Sequence, residues 1–134
     1  MAEIPASHRD LLAGDVLTLA TIGADGHPQL SEVWFLADGD TVQISLHTSR
    51  QKTKNLQRNP ACTAFLLDTA NPYRYLEIRG DAELVPDDDY AFADKVGAKY
   101  GGVDVRQMDG PGGERVVVTI RPTRIVAVDL SSGG

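Results

Sequence analysis

Two Asp-Gly pairs set between apolar runs constrain this chain more than any other feature. Asp25-Gly26 follows Val16–Ile22 and precedes Gln29–Leu36, and Asp38-Gly39 separates that second run from Thr41–Leu46, whose side chains alternate with period two. Such pairs tolerate the positive φ of tight hairpin turns, so they predict antiparallel strands joined end to end. Read together, the three runs form a meander.

Beyond them the period changes. Thr48–Asn59 reads as a helix capped by Thr48 or Ser49 and stopped by Pro60. Cys62–Leu67 and Tyr73–Val85 are strand-like again, with a turn at Asn71-Pro72. Pro86 and Asp87-Asp88-Asp89 open another helix, their carboxylates at the positive end of its macrodipole, and it runs to Tyr100-Gly101-Gly102. Val103–Glu114 is a Gly-rich loop. Arg115–Ile120 and Ile125–Leu130 are closing strands, and 131–134 is a fraying tail. At the other end Pro5–Leu12, within an N-terminal segment 1–13, reads as a short helix capped by Ser7, with Leu11 and Leu12 turned inward. About six strands that neighbour one another in sequence predict an antiparallel sheet. The expected architecture is one mainly β domain over residues 1–134, a small barrel with short helices inserted.

Composition narrows the function. Hydrophobic residues at 42% and charged residues at 24% suffice for a core in 134 residues. No stretch approaches the ~18 uninterrupted apolar residues of a membrane span, and the start lacks a basic-then-apolar leader, so a cytoplasmic protein without a membrane partner is expected. The single Cys62 excludes an internal disulfide framework and reads as packing within an apolar strand. His8, His27 and His47 lack metal-ligand spacing, so no metal site is expected. The chain has neither a Gly-x-Gly-x-x-Gly turn opening a helix nor a Gly-x-Ser-x-Gly elbow.

A net charge of −6 makes nucleic acid a poor partner. Against that acidic background four of the thirteen basic residues, Arg50, Lys52, Lys54 and Arg58, fall within one short stretch free of acids. Arg50 and Lys52 occupy the first turn of the predicted helix, where unsatisfied N–H groups already carry partial positive charge. A bound phosphate or carboxylate reverses the sign of that repulsion, because the N–H groups, the Ser49 hydroxyl and both cations then share one anion. The alternative is a solvated basic helix; the misplaced charge favours the anion site.

Leu19-Ala20-Thr21 with the Asp25-Gly26 turn, Ser49-Arg50-x-Lys52-x-x-Asn55-Leu56 and Tyr75-x-Glu77-x-x-Gly80 together resemble the pyridoxamine-phosphate-oxidase-like superfamily of FMN-binding split barrels, and its flavin/deazaflavin oxidoreductase branch most. Leu19-Ala20-Thr21 with Asp25-Gly26-His27-Pro28-Gln29 and Ser31 resembles the family's opening hairpin. Ile44-Ser45 with Ser49-Arg50-x-Lys52-x-x-Asn55-Leu56-x-x-Asn59-Pro60 resembles its phosphate-binding strand and helix, and Tyr75-x-Glu77-x-x-Gly80-x-Ala82 a later strand. The resemblance implies an antiparallel six-stranded split barrel and an enzyme, an oxidoreductase that uses coenzyme F420 or, alternatively, FMN. It implies phosphate ligands at Ser45, Ser49, Arg50 and Lys52, with Asn55 facing the same pocket. Gln29, Ser31, Glu32 and Val33 match the strand along the tricyclic ring, while Lys54 and Arg58 are placed to reach the acidic tail of the deazaflavin. Trp34, Tyr73 and Tyr75 are candidates for a substrate cleft, and core or interface packing is the other reading of each. Trp34 and Phe35 face opposite sides of their strand, so one can line a cleft while the other fills the barrel.

In this chemistry the cofactor carries the reaction and the protein supplies position, charge and water exclusion. The sequence therefore names no acid–base group. A barrel this small is filled by its own side chains, which puts the cofactor on the outside, in a groove that a second copy closes. A homodimer acting on a small unsaturated or carbonyl-type molecule is the expectation. A non-catalytic cofactor carrier is the reading from another class.

Overall fold

Both Asp-Gly pairs form the turns expected of them. In a computed structural model, which describes residues 1–131, Gly26 has φ 84° and Gly39 φ 61°. The first turn joins β1 (Leu17–Ile22) to β2 (Pro28–Val33), paired from Leu17 opposite Val33 to Ile22 opposite Pro28. The second joins β3 (Leu36–Asp38) to β4 (Thr41–His47). The remaining elements are α1 (Gln51–Arg58), β5 (Ala61–Leu67), β6 (Arg74–Pro86), α2 (Ala91–Lys99), α3 (Val105–Asp109) and β7 (Arg115–Asp129).

The expected meander is not formed. All pairings are antiparallel, and the sheet runs β2-β1-β5-β6-β7-β4-β3, so β4 pairs with β7 and never with β2. The reason lies at Trp34-Phe35, where the run expected as one strand breaks into β2 and β3. Phe35 is wholly buried, and its backbone is bonded by side chains from the end of α2. The Tyr100 hydroxyl accepts its N–H at 3.1 Å, and Lys99 Nζ donates to its carbonyl at 2.8 Å while lying 4.1 Å above its ring. With those groups satisfied there is no strand ladder to continue. The two edge strands of the curled sheet are thus consecutive pieces of chain, and the barrel is split where they meet.

Seven strands replace the expected six. The two closing runs are one strand, β7, bent where Gly80 of β6 lies opposite Pro122 at a register shift. Proline within a sheet is confined to such irregular positions because it cannot donate to a ladder. Inside the curl, alternate residues of β1, β4, β5, β6 and β7 are buried, among them Leu19, Ile44, Leu66, Ile78 and Val118. Leu56 of α1 and Phe35 join this core.

The helices depart from expectation at their ends. Ala6–Ala13 is a 3₁₀ helix preceded by Pro5 with no side-chain cap; the Ser7 hydroxyl instead meets His8 Nδ1 at 2.8 Å. Leu11 does turn inward. The second helix begins at Ala91, later than Pro86, and the Asp87 carboxylate accepts from the Phe92 and Ala93 amides at 3.1 and 2.9 Å. The Gly-rich loop contains α3, capped by the Asp104 side chain. Of the expected tail, Ser131 bonds Asp129 through its amide at 2.9 Å, and 132–134 lie outside the described residues.

A Cβ on Gly80 would meet the Arg121 carbonyl oxygen at 2.2 Å, where the two long strands cross closest. Gly80→Ala is expected to cost about 3 kcal/mol, as overpacking against unyielding backbone does. Chemical denaturation of the variant measures it.

Candidate functional site

β4 ends in Ser45-Leu46-His47, and the next three residues turn the chain into α1. Thr53 Oγ1 donates to the His47 carbonyl at 2.8 Å, and the Arg50 N–H to the same oxygen at 3.1 Å, which fixes that corner. Neither Thr48 nor Ser49 caps the helix. The Ser49 N–H donates to His47 Nδ1 at 3.1 Å and its hydroxyl lies 2.7 Å from the same nitrogen. Arg50 takes the N-cap position with extended backbone and no capping side chain. Among the described residues no hydrogen bond uses the Gln51 or Lys52 amide, two of the orphan donors of a helix start.

Around this corner lies an open cavity of about 570 Å³. Glu32, Val33 and Trp34 line it from the break after β2, and Ser45, Leu46 and His47 from β4. Ser49, Arg50 and Lys52 line it from the helix start, Met108 and Asp109 from α3, and Arg115 from the beginning of β7. The fold thereby brings together seven residues the sequence singles out: Glu32, Val33, Trp34, Ser45, Ser49, Arg50 and Lys52.

The others lie elsewhere. Asn55 is buried in a line of side chains: its amide donates to Thr21 Oγ1 at 3.0 Å, Thr21 donates to Gln29 Oε1 at 3.0 Å, and Gln51 donates to Asn55 Oδ1 at 2.9 Å. Asn55 and Gln29 thus tie α1 to the first hairpin and do not line the cavity. Ser31 sits beside Leu19, and its hydroxyl is buried without a partner. Lys54 is exposed, two residues from Lys52 and so on the opposite face of the helix. Arg58 bonds the Ile22 carbonyl. Tyr73 is exposed, and Tyr75 packs on Phe65 with ring centroids 5.2 Å apart. Both stand at the Leu67 end of β6, whereas the cavity adjoins its Pro86 end. Arg74 pairs with Asp10 and Asp68, and Arg79 with Glu77, all within the chain. The barrel-filling half of the Trp34-Phe35 expectation falls to Phe35; Trp34 stacks on Tyr100 at 4.4 Å with one face toward the cavity.

Charge distinguishes this cavity. Arg115 is matched: its Nε and Nη2 donate to Asp109 Oδ2 and Oδ1 at 2.7 Å each, which holds the Asp109 carboxyl below the usual range. Arg50 and Lys52 have no ion pair among the described residues. Lys52 is only 7% exposed, so burial, with the Arg50 charge adding to it, pushes its amine below the ordinary lysine value. The cavity wall therefore carries two neighbouring cations and two unbonded helix-start amides, an arrangement that favours an anion. The Cys62 thiol, buried and pushed up to about 12, is no nucleophile.

Sequence reasoning missed Leu46, Met108, Asp109 and Arg115, and considered His47 only as a metal ligand. Met108 and Asp109 sit in what reads as a Gly-rich loop, and no local period connects Arg115 to Arg50.

The family model described as pyridoxamine 5'-phosphate oxidase matches residues 4–129. Among solved structures, an F420 reductase shares 37% identity over 92% of this chain and 98% of its own, with a TM-score of 0.81. A conserved hypothetical protein of Mycobacterium tuberculosis shares 27% identity over 96% of this chain and 86% of its own, at 0.77. HupZ of Group A Streptococcus, at 22% identity over 98% of this chain and 97% of its own, shares the fold at 0.73.

A partly desolvated cation without a partner costs stability, and its removal separates folding from binding. Lys52→Met keeps the aliphatic stem and deletes the charge, so it is expected to raise stability by about 1 kcal/mol. The same variant is expected to lose affinity for inorganic pyrophosphate; thermal melts and calorimetric titration check the two halves.

Proposed function

The chain belongs to the pyridoxamine 5'-phosphate oxidase family, and on that footing we propose that its cavity holds the phosphate-bearing arm of a flavin-type redox cofactor. The cofactor in this reading is the deazaflavin F420, and the protein is an oxidoreductase acting on a small unsaturated or carbonyl-type molecule. The observation that carries the proposal is Lys52, whose stem is packed away while its amine faces the cavity with no counter-charge among the described residues, at an uncapped helix start. Similarity to the F420 reductase over almost the whole of both chains supports F420 over FMN.

The residues divide the work by chemistry. Lys52 and Arg50 supply the charge that a phosphate needs, the Ser45 hydroxyl and the first α1 amides supply directed donors, and Ser49 stands beside them, bonded to His47 Nδ1. Glu32, Val33 and Trp34 offer backbone and apolar surface for the flat part of the cofactor, with Trp34 held in place by its stack on Tyr100. Bound there, the deazaflavin would supply a hydride to an electron-poor double bond. The apolar side of Leu46 and Met108 excludes water from part of the same space.

A homodimer is part of the proposal. Leu30, Leu67, Tyr73 and Leu130 are exposed apolar side chains on the outer side of the curled sheet and its rim. Thr18 and Ala20 pair with Glu32 and Leu30 on that outer face, which runs directly into the cavity through Glu32. A second copy seated there would close the open side of the site. No helix among the described residues is long and apolar enough to cross a membrane; a cytoplasmic setting belongs to the same proposal.

The competing reading is an FMN enzyme of the same fold. Trp34, the sole tryptophan, reports on either ligand through its fluorescence. Titration is expected to show F420 binding more tightly than FMN, with Lys52→Met losing both, and sedimentation is expected to show a dimer. Tighter FMN binding favours the second reading, binding of F420 without reduction of any acceptor points to a carrier, and binding of neither cofactor refutes the proposal.

A further inference from the structure

One residue that does not touch the cavity is held at a cost beside it. Tyr90, directly before α2, is the only non-glycine residue with positive φ among those described, at 60°. That left-handed conformation costs a side-chain-bearing residue about 1–2 kcal/mol and persists where the surroundings enforce it. Its ring is buried, and Arg106 of α3 lies 4.5 Å from the ring centroid. Its hydroxyl donates to Asp109 Oδ2 at 2.8 Å.

From Asp109 the connection continues to the cavity wall. The Asp109 side chain is buried and takes three donors: Tyr90 OH, Arg115 Nε and Arg115 Nη2. The remaining Arg115 nitrogen, Nη1, donates to the Ser45 carbonyl at 3.2 Å and stands 3.5 Å from the Ser45 hydroxyl. Four elements therefore meet in one chain of hydrogen bonds, from the start of α2 through the end of α3 and the first residue of β7 to β4. A planar guanidinium clamped by a two-point carboxylate has its third edge fixed in direction. Breaking a buried pair of this kind costs several kcal/mol, so it acts as a wall and not as a gate. The same clamp sets α3 in place and with it Met108, which is 59% exposed at the cavity mouth.

We propose that Tyr90, Asp109 and Arg115 form a brace that positions Ser45 and α3, so that the anion affinity of the cavity depends on a tyrosine hydroxyl outside it. Tyr90, Asp109 and Arg115 are positioning residues; the charge that attracts the anion stays with Lys52 and Arg50. The inference rests on the reading of the cavity as an anion site.

The test uses inorganic pyrophosphate as probe, followed by calorimetry, on the full chain. Tyr90→Phe deletes one hydroxyl and nothing else, and is expected to weaken pyrophosphate binding about three- to tenfold, the net worth of one ordinary hydrogen bond. It is also expected to speed hydrogen exchange at the Met108 and Gly110 amides, which close α3 on Asp104 and Arg106. In an Arg115→Ala background the same change is expected to have no further effect on affinity, because the brace is already cut. If Tyr90→Phe does not fold, Asp109→Asn, which keeps the shape and loses the charge, takes its place with the same expected direction. Affinity within twofold of the parent, whatever happens to the melting temperature, overturns the brace, as does a loss that persists undiminished in the Arg115→Ala background. A parent protein that binds no pyrophosphate removes the anion site and the brace together. A parent that binds, a Lys52→Met that does not and a Tyr90→Phe that binds normally leave the anion site standing and remove the brace alone.

Discussion

The backbone of Phe35 cannot pair with a neighbouring strand, and the rest of the structure follows from how it is satisfied instead. Its N–H and carbonyl are taken by Tyr100 and Lys99, side chains contributed by the end of α2. That plug interrupts the chain between β2 and β3 and keeps the two edges of the sheet from zipping together. Strand ends which a closed barrel would pair are left diverging. The groove between them is where Trp34, the last residues of β4 and the start of α1 come to face one another. An exposed edge is ordinarily a liability for a β protein. Here the divergence of the edges provides a wall of the cavity.

A second constraint is electrostatic. Several charges of the protein are paired: Arg74 between Asp10 and Asp68, Arg121 with Glu83, Arg115 with Asp109. Lys52 differs from these in being a largely buried residue without an ion pair among the described residues, its amine disfavoured by burial and by the Arg50 charge. Positions that sacrifice stability in this way concentrate where function needs them. The strained backbone of Tyr90 is the second such departure, and it stands within a few side chains of the first.

What the sequence discloses is what local chemistry decides. Asp25-Gly26 and Asp38-Gly39 are legible because the turn is specified by the residues that make it, and the basic start of α1 because a helix terminus has a known polarity. Pairing of β4 with β7 is not legible in the same way. It depends on Tyr100 reaching Phe35 across 65 positions of sequence, a contact without periodic signature. Asp109 and Arg115 escape for the same reason: each looks ordinary until α3 and β7 bring them together against Ser45. Asn55 shows the converse. Its position in the helix is read correctly, and its amide serves to join Thr21 and Gln51, partners that no local pattern names.

Lys52 offers the most direct measurement of the central claim, that a nearly buried cation awaits an anion. NMR titration of its Nζ, with and without F420, reports the environment of that one charge. The account predicts an amine that loses its proton below the ordinary lysine value of 10.5 in the free protein and returns toward or above it when the cofactor is bound, because an adjacent anion favours the charged form. An amine that titrates as an ordinary lysine and ignores the cofactor would contradict it.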